Sequence, residues 1–281
     1  MTFDVNTNKE SFIIGMPHLS AVGLSEHWLL KECGHEHWMA IAQAFGQEKP
    51  EFRDRENRKV YAAFICINIE NGKLDQVVEN DEIDIVTTLT RLSSARNMST
   101  HMVMKKDQVI ARVHMVSTFV HRQTAGNNQS VVKAEMMALA IQDNDKASTL
   151  MAEHKVQRSL TTHSMGEYQY LPCPYSEFNG ADFLYFAAFQ SIADRAERYL
   201  VPDTGLWSTI SRSIYYYGNS NIDDVITVQL IGHKIFGSFM MSHLRMVRSS
   251  DGKVIADIHT EKESVTHEAM IWRQKVMTEG A

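Results

Sequence analysis

Two stretches of the chain read as copies of one unit. "GMPHLSAVGLSEHWLL" begins at Gly15, and "YLPCPYSEFNGADFLYF" begins at Tyr170. In each, a proline-bearing triplet (Met16 to His18, Leu171 to Cys173) precedes a glycine (Gly23, Gly180), then a residue type suited to capping a helix (Ser25, Asp182) and an apolar run. Trp38, Ile41, Ala42 and Phe45 follow helical spacing, so the first helix is expected near 25–45. The second, near 182–200, is apolar on almost every side from Phe183 to Phe189. A helix of that kind has to be wrapped, and a sheet is the expected wrapper.

The strands that follow keep the correspondence. "KVYAAFICINI" matches "RSIYYYGNSNI", and "DEIDIVTTLTRL" matches "DDVITVQLIGHKI". "STHMVMKKDQVIARVHM" matches "MSHLRMVRSSDGKVIADIHT", setting His101 opposite His243 and His114 opposite His259. Each half thus reads as a strand, a long helix and four further strands. That is the element order of the hot dog fold, in which a curled antiparallel sheet wraps one helix. Two copies give an α+β double hot dog, with units at 1–125 and 168–281 joined by a more polar linker at 126–167.

Composition narrows the functional classes. A net charge of −6 argues against a general nucleic-acid binder, which needs a cationic face. No apolar run is long enough to span a bilayer and the first residues lack a signal-peptide pattern, so a soluble cytoplasmic chain is expected. Cys33, Cys66 and Cys173 are dispersed, which signals neither a disulfide framework nor a cysteine-rich zinc site. Among the thirteen histidines only His35-Glu36-His37 clusters, and residues two apart on a helix do not share a face, so no metal is expected. The sixteen methionines read as core filler.

The loop ahead of each central helix is the first place to look for chemistry. Free backbone N–H groups and the helix dipole meet there and can stabilise developing negative charge. Gly23, Leu24 and Ser25 in the first half, and Asn179 and Gly180 in the second, are the candidate substrate-binding residues.

These same motifs, "GMPHLSAVGLSEHWLLKECGHEHW" and "FNGADFLYFAAFQ", resemble the double hot dog bifunctional acyltransferase/decarboxylase of leinamycin biosynthesis and its relatives in polyketide gene clusters. The resemblance spans both halves. It implies decarboxylation of methylmalonyl-CoA and loading of the propionyl group onto the phosphopantetheine arm of an acyl carrier protein through an acyl-tyrosine ester. The matching tyrosine is Tyr61 in "KVYAAF", with Tyr215 to Tyr217 of the second half as the competing location. His18 is the nearest sequence-level base or carbonyl donor. No cofactor is implied beyond the CoA thioester as substrate, and a homodimer stays open.

Other readings of the fold remain. A hot dog dehydratase would carry a proline-rich histidine loop, and "PHLSAVGLSE" keeps His18 and Gly23 without those prolines. A thioesterase needs only water in place of the carrier thiol. A non-catalytic scaffold that binds an acyl carrier is the third reading. For an acidic carrier, Arg53, Arg55, Arg58 and Lys59 form the candidate cationic patch.

Overall fold

The structure, a computed structural model, describes residues 7–136, 140–201 and 205–265. The remainder, including the last part of the second expected unit, lies outside the described residues. β1 (Thr7–Ile13) leads through a 3-10 turn (Met16–His18) and a two-residue hairpin, β2 (Leu19–Ser20) with β3 (Gly23–Leu24), into α1 (Glu26–Ala44). Then come β4 (Tyr61–Glu70), β5 (Glu82–Arg91), β6 (Arg96–Lys105) and β7 (Gln108–Arg122). The segment expected as a linker carries β8 (Val131–Lys133) and α2 (Asp145–Ser159). The second half repeats the first: β9 (Gly166–Tyr170), α3 (Phe186–Leu200), then β10 (Trp207–Tyr216), β11 (Ile226–Phe236), β12 (Phe239–Arg248) and β13 (Lys253–Ser264).

All pairings are antiparallel, and the strand order is β1-β5-β6-β7-β4-β10-β13-β12-β11-β9, with β8 added to β7. This order reads the same from either edge when the halves are exchanged, and the exchange axis lies between β4 and β10. In β5, Ile83, Ile85 and Leu89 are buried while Glu82 and Thr88 are exposed, the alternation of a strand with one face on a core. α1 and α3 lie in one shared apolar core with Ile67, Ile69, Ile214 and Ile258 of the sheet. On the opposite face, Ala147 and Leu150 of α2 cover Cys66, Val116 and Tyr215.

Four β-bulges place the two halves in register. Ile65 of β4 and Ile210 of β10 are each skipped in the ladder, as are Ile110 of β7 and Ile255 of β13, 145 positions apart in both cases. The duplication extends to side-chain contacts. His37, in the third turn of α1, bonds Ser99 at 2.7 Å and Ser117 at 2.8 Å. Glu197, at the same position in α3, accepts from Ser242 at 2.5 Å and from Lys262. His114 and His259 are equivalent, as the sequence alignment expects. His101 and His243 are not: Thr100 pairs with His114 where His243 pairs with His259. A one-residue step reverses the face, so His101 is buried beneath α1, bonded to Thr87 and Ser99, whereas His243 stacks on His259.

The start of the second central helix also differs from expectation. Ser25 does cap α1, its Oγ accepting from the Trp28 amide at 3.3 Å. Asp182, however, adopts φ +58° within a turn, and α3 begins at Phe186 with Tyr185 as an N-cap that supplies no side-chain hydrogen bond. The cause is Asn179, whose Oδ1 accepts from the amides of Ala181 and Phe183 and holds the intervening residues in a turn.

Candidate functional site

The uncapped first turn of α3 borders a cavity of about 900 Å³. Its walls come from α3, the start of β4, the end of β10 and the segment around β8. Asn128 and Arg248 apart, the buried wall is largely apolar, with Val60, Ala62, Phe64, Val120, Leu184 and Phe186. Phe64 and Phe186 pack edge-to-face with ring centres 4.5 Å apart, and Trp38 fixes the β4 backbone by donating from Nε1 to Ala62 O at 3.0 Å. Lys31, Lys59, Lys133, Arg158 and Lys253 line the cavity as exposed residues and form its rim. Among the described residues, no Asp, Glu, His or Cys lines the cavity, although the chain as a whole is acidic.

Tyr61, Asn179 and Gly180 all line this cavity. Tyr61 is half-buried, its ring edge-on to Phe183 at 5.2 Å, with Lys59 Nζ at 5.4 Å and the Arg122 guanidinium at 5.8 Å from the ring centre. Arg122 itself donates to Asn128 Oδ1 and Ala181 O. Tyr216 and Tyr217 line the cavity too, while Tyr215 does not; it sits on the other face, donating to Glu153 at 2.9 Å. Tyr216 is buried and donates to Phe186 O, and burial pushes its phenol up. Tyr217 donates to Asp257 Oδ2 at 3.1 Å. Despite its burial, Asp257 is held below the usual carboxylate range by bonds from His243 and Arg245, so this phenol faces a fixed anion.

His18, Gly23, Leu24 and Ser25 lie at the start of α1, away from these walls. His18 Nδ1 accepts from the Gly15 amide at 2.8 Å, and its ring packs against Trp28 at 4.8 Å. Gly23 (φ +112°) and Leu24 are buried, and a Cβ on Gly23 would stand 2.2 Å from Leu74 O. The segment Leu74 to Gln76 therefore seals the place that corresponds, in the first half, to the cavity mouth in the second.

Below that seal the counterpart site is filled with charge. Glu26, first residue of α1 and equivalent to Phe186, faces Arg212 Nε at 2.6 Å and accepts from Thr209 at 2.7 Å. Asp194 joins through Arg212 at 2.7 Å and Lys262 at 2.9 Å. Burial pushes the Glu26 carboxyl up despite Arg212; against its own burial, Asp194 is held well below the ordinary range by Arg212 and Lys262. Position by position, Glu26, Asp194 and Thr209 stand where the cavity half has Phe186, Gly34 and Phe64. A Cβ on Gly34 would lie 2.4 Å from Phe186 Cζ, so the glycine makes room for the ring. Phe64, Phe186, Trp38 and the rim cations other than Lys59 escaped sequence reasoning as site residues because their shared signal is spatial: they are spread from residue 31 to residue 253.

Arg58 of the expected cationic patch is paired with Asp54 and Glu56, both at 2.7 Å, and Arg53 donates to Asn57 O, which leaves Lys59 as the patch member at the rim. Among the described residues, no group of three or more His, Cys, Asp and Glu side chains is placed to hold a metal ion, and no helix is long and apolar enough to cross a membrane.

No family model and no curated protein matches this sequence. Solved structures do match in shape. A 12:0-ACP thioesterase from Umbellularia californica superposes with TM-score 0.67 at 8% identity, covering 92% of this chain and 94% of the other. An oleoyl thioesterase (putative) from Lactobacillus plantarum gives 0.68 at 8% identity, covering 94% and 97%. An acyl-ACP thioesterase from Bacteroides thetaiotaomicron gives 0.60 at 10% identity, covering 92% and 98%. At such identities the likeness shows the fold: this chain is a double hot dog of the kind seen in acyl-ACP thioesterases.

Proposed function

We propose that this protein is an enzyme that cleaves acyl thioesters carried by CoA or by the phosphopantetheine arm of an acyl carrier protein, with water as the acceptor. The observation that carries this reading is the uncapped first turn of α3 opening beside an apolar chamber with a cationic rim. A first turn that no side chain caps offers backbone N–H groups to a thioester oxygen that gains negative charge, and each such donor is worth about 2.7–4 kcal/mol in comparable sites. Asn179 and Gly180 shape the approach to that turn, the apolar wall takes the acyl group, and the rim takes phosphate. The thioesterase names of the similar folds support the same chemistry.

A second reading, acyl transfer through an ester on Tyr61 with decarboxylation of a malonyl-type unit, is favoured by one specific fact. Tyrosines line the cavity and, among the described residues, no carboxylate, imidazole or thiol does. In that reading the Tyr61 oxygen attacks the thioester carbonyl, its proton leaves with the CoA thiol, and the carrier thiol later takes the acyl group.

One experiment separates the two. The protein is mixed with acyl-CoA esters, methylmalonyl-CoA included, while free thiol, carbon dioxide and intact protein mass are followed. Sustained thiol release without an adduct supports hydrolysis. Carbon dioxide with a propionyl-sized adduct on the Tyr61 peptide supports transfer. No thiol release from any ester leaves only the binding scaffold.

A further inference from the structure

The geometry points to a substrate whose acyl group is bulky, apolar and uncharged, with its carrier phosphate held at the cationic rim; this rests on the thioester reading above. The first observation is size. A cavity of about 900 Å³ lies near the top of the range for small-molecule sites, roughly 300–1,000 Å³, and a malonyl-type unit would leave most of it empty. The second is the distribution of polarity. Arg248 apart, the described residues that are both buried and cavity-lining, such as Ala62, Phe64, Leu184, Phe186 and Phe189, carry no charge. An ionised carboxylate placed among them would lose its hydration without gaining a partner, which is unfavourable by several kcal/mol.

The cations that could meet such a carboxylate are committed or lie at the edge. Among the described residues, Arg248 is the one buried cation that lines the cavity, and it is paired with Asp251 and bonded to Asn219 O. Arg122 lies behind Phe183 with its guanidinium 3.7 Å from that ring centre and donates to Asn128 and Ala181. The exposed cations Lys31, Lys59, Lys133, Arg158 and Lys253 have no carboxylate beside them in the cavity lining, which suits the phosphates of CoA or of a phosphopantetheine arm. The partition of charge outside and aromatic surface inside matches an amphiphile with a phosphate head and an apolar tail.

The test is calorimetric titration of the protein with non-cleavable thioether analogues of acetyl-, hexanoyl-, decanoyl- and methylmalonyl-CoA, and of the corresponding acyl-pantetheine phosphates. Affinity should rise about fourfold per added methylene, the fold-change corresponding to about 0.8 kcal/mol, until the chamber is full. The methylmalonyl analogue should bind no better than acetyl. CoA thioethers binding more tightly than phosphopantetheine thioethers would assign the rim to the nucleotide phosphates; the reverse order would assign it to the carrier arm. Equal binding of all chain lengths, or tightest binding of methylmalonyl, overturns the inference while leaving a thioester site in place. Failure of every analogue to bind overturns the thioester reading as well.

Discussion

Phe186, the first residue of α3, packs edge-to-face on Phe64 of β4 with ring centres 4.5 Å apart, in the position where Glu26 and Thr209 share a 2.7 Å hydrogen bond in the other half. One duplicated scaffold has thus diverged into a hollow apolar site and a sealed polar one. The polar half spends Arg212 and Lys262 on neutralising Glu26, Asp194 and Glu197. The apolar half needs no such compensation and keeps its space.

Gly34 is the residue that gives Phe186 room. Gly34→Ala should force the Phe186 ring toward the cavity, since the new Cβ would stand 2.4 Å from Cζ. Overpacking of this kind costs about 1–3 kcal/mol. Urea unfolding should show that loss, and the longest acyl analogue bound should become shorter.

The sealed half predicts the opposite pattern. Arg212→Met removes the cation between the buried Glu26 and the half-buried Asp194, and breaking the buried Glu26–Arg212 pair in this way costs about 3–5 kcal/mol. Unfolding should shift strongly. Ligand affinity of the molecules that remain folded, measured at low temperature, should change little, because Arg212 does not line the cavity.

Tyr61 makes no side-chain hydrogen bond through its hydroxyl among the described residues, so Tyr61→Phe should alter stability by no more than about 0.5 kcal/mol. Under hydrolysis by water, thiol release should persist within about threefold, that is within about 0.7 kcal/mol of barrier. A loss of about a hundredfold or more, together with disappearance of an adduct on this peptide, would move the mechanism to acyl transfer.

At the rim, Lys59→Glu should weaken binding of a phosphate-bearing substrate and reduce its salt dependence. Arg58→Glu should do neither, because Arg58 is already paired with Asp54 and Glu56. Titrations at low and moderate salt check both.

Acid should destabilise the fold before ordinary carboxylates titrate. Burial pushes His37 down to about 3 and holds His101 well below the ordinary imidazole range, and burial with the neighbouring His243 pushes His259 down to about 4. The unfolded chain therefore takes up these protons first, near pH 6.5. Stability is fully present above that pH and falls as pH drops toward 4, by up to about 1.4 kcal/mol per unit for each histidine. Urea unfolding across this range should show the slope, and His37→Gln should flatten it.

The duplicated order of elements was legible in the sequence because it rests on local signals. Ser25 caps α1 as its residue type suggests, the apolar run from Phe186 to Phe189 that opens α3 is buried, and strand alternation holds in segments such as β5. The sequence also marked Tyr61, Asn179 and Gly180, which line one cavity. It could not show that His18 and Gly23 belong to the opposite, sealed end, since that seal is made by Leu74 and Asp75, some fifty residues away along the chain. Nor could it place His101, whose face depends on a one-residue register step. Which half stays hollow was decided by tertiary packing alone: Gly34, Phe64 and Phe186 meet only when two helices and the joined sheet close on them, and a cavity is a property of what surrounds it.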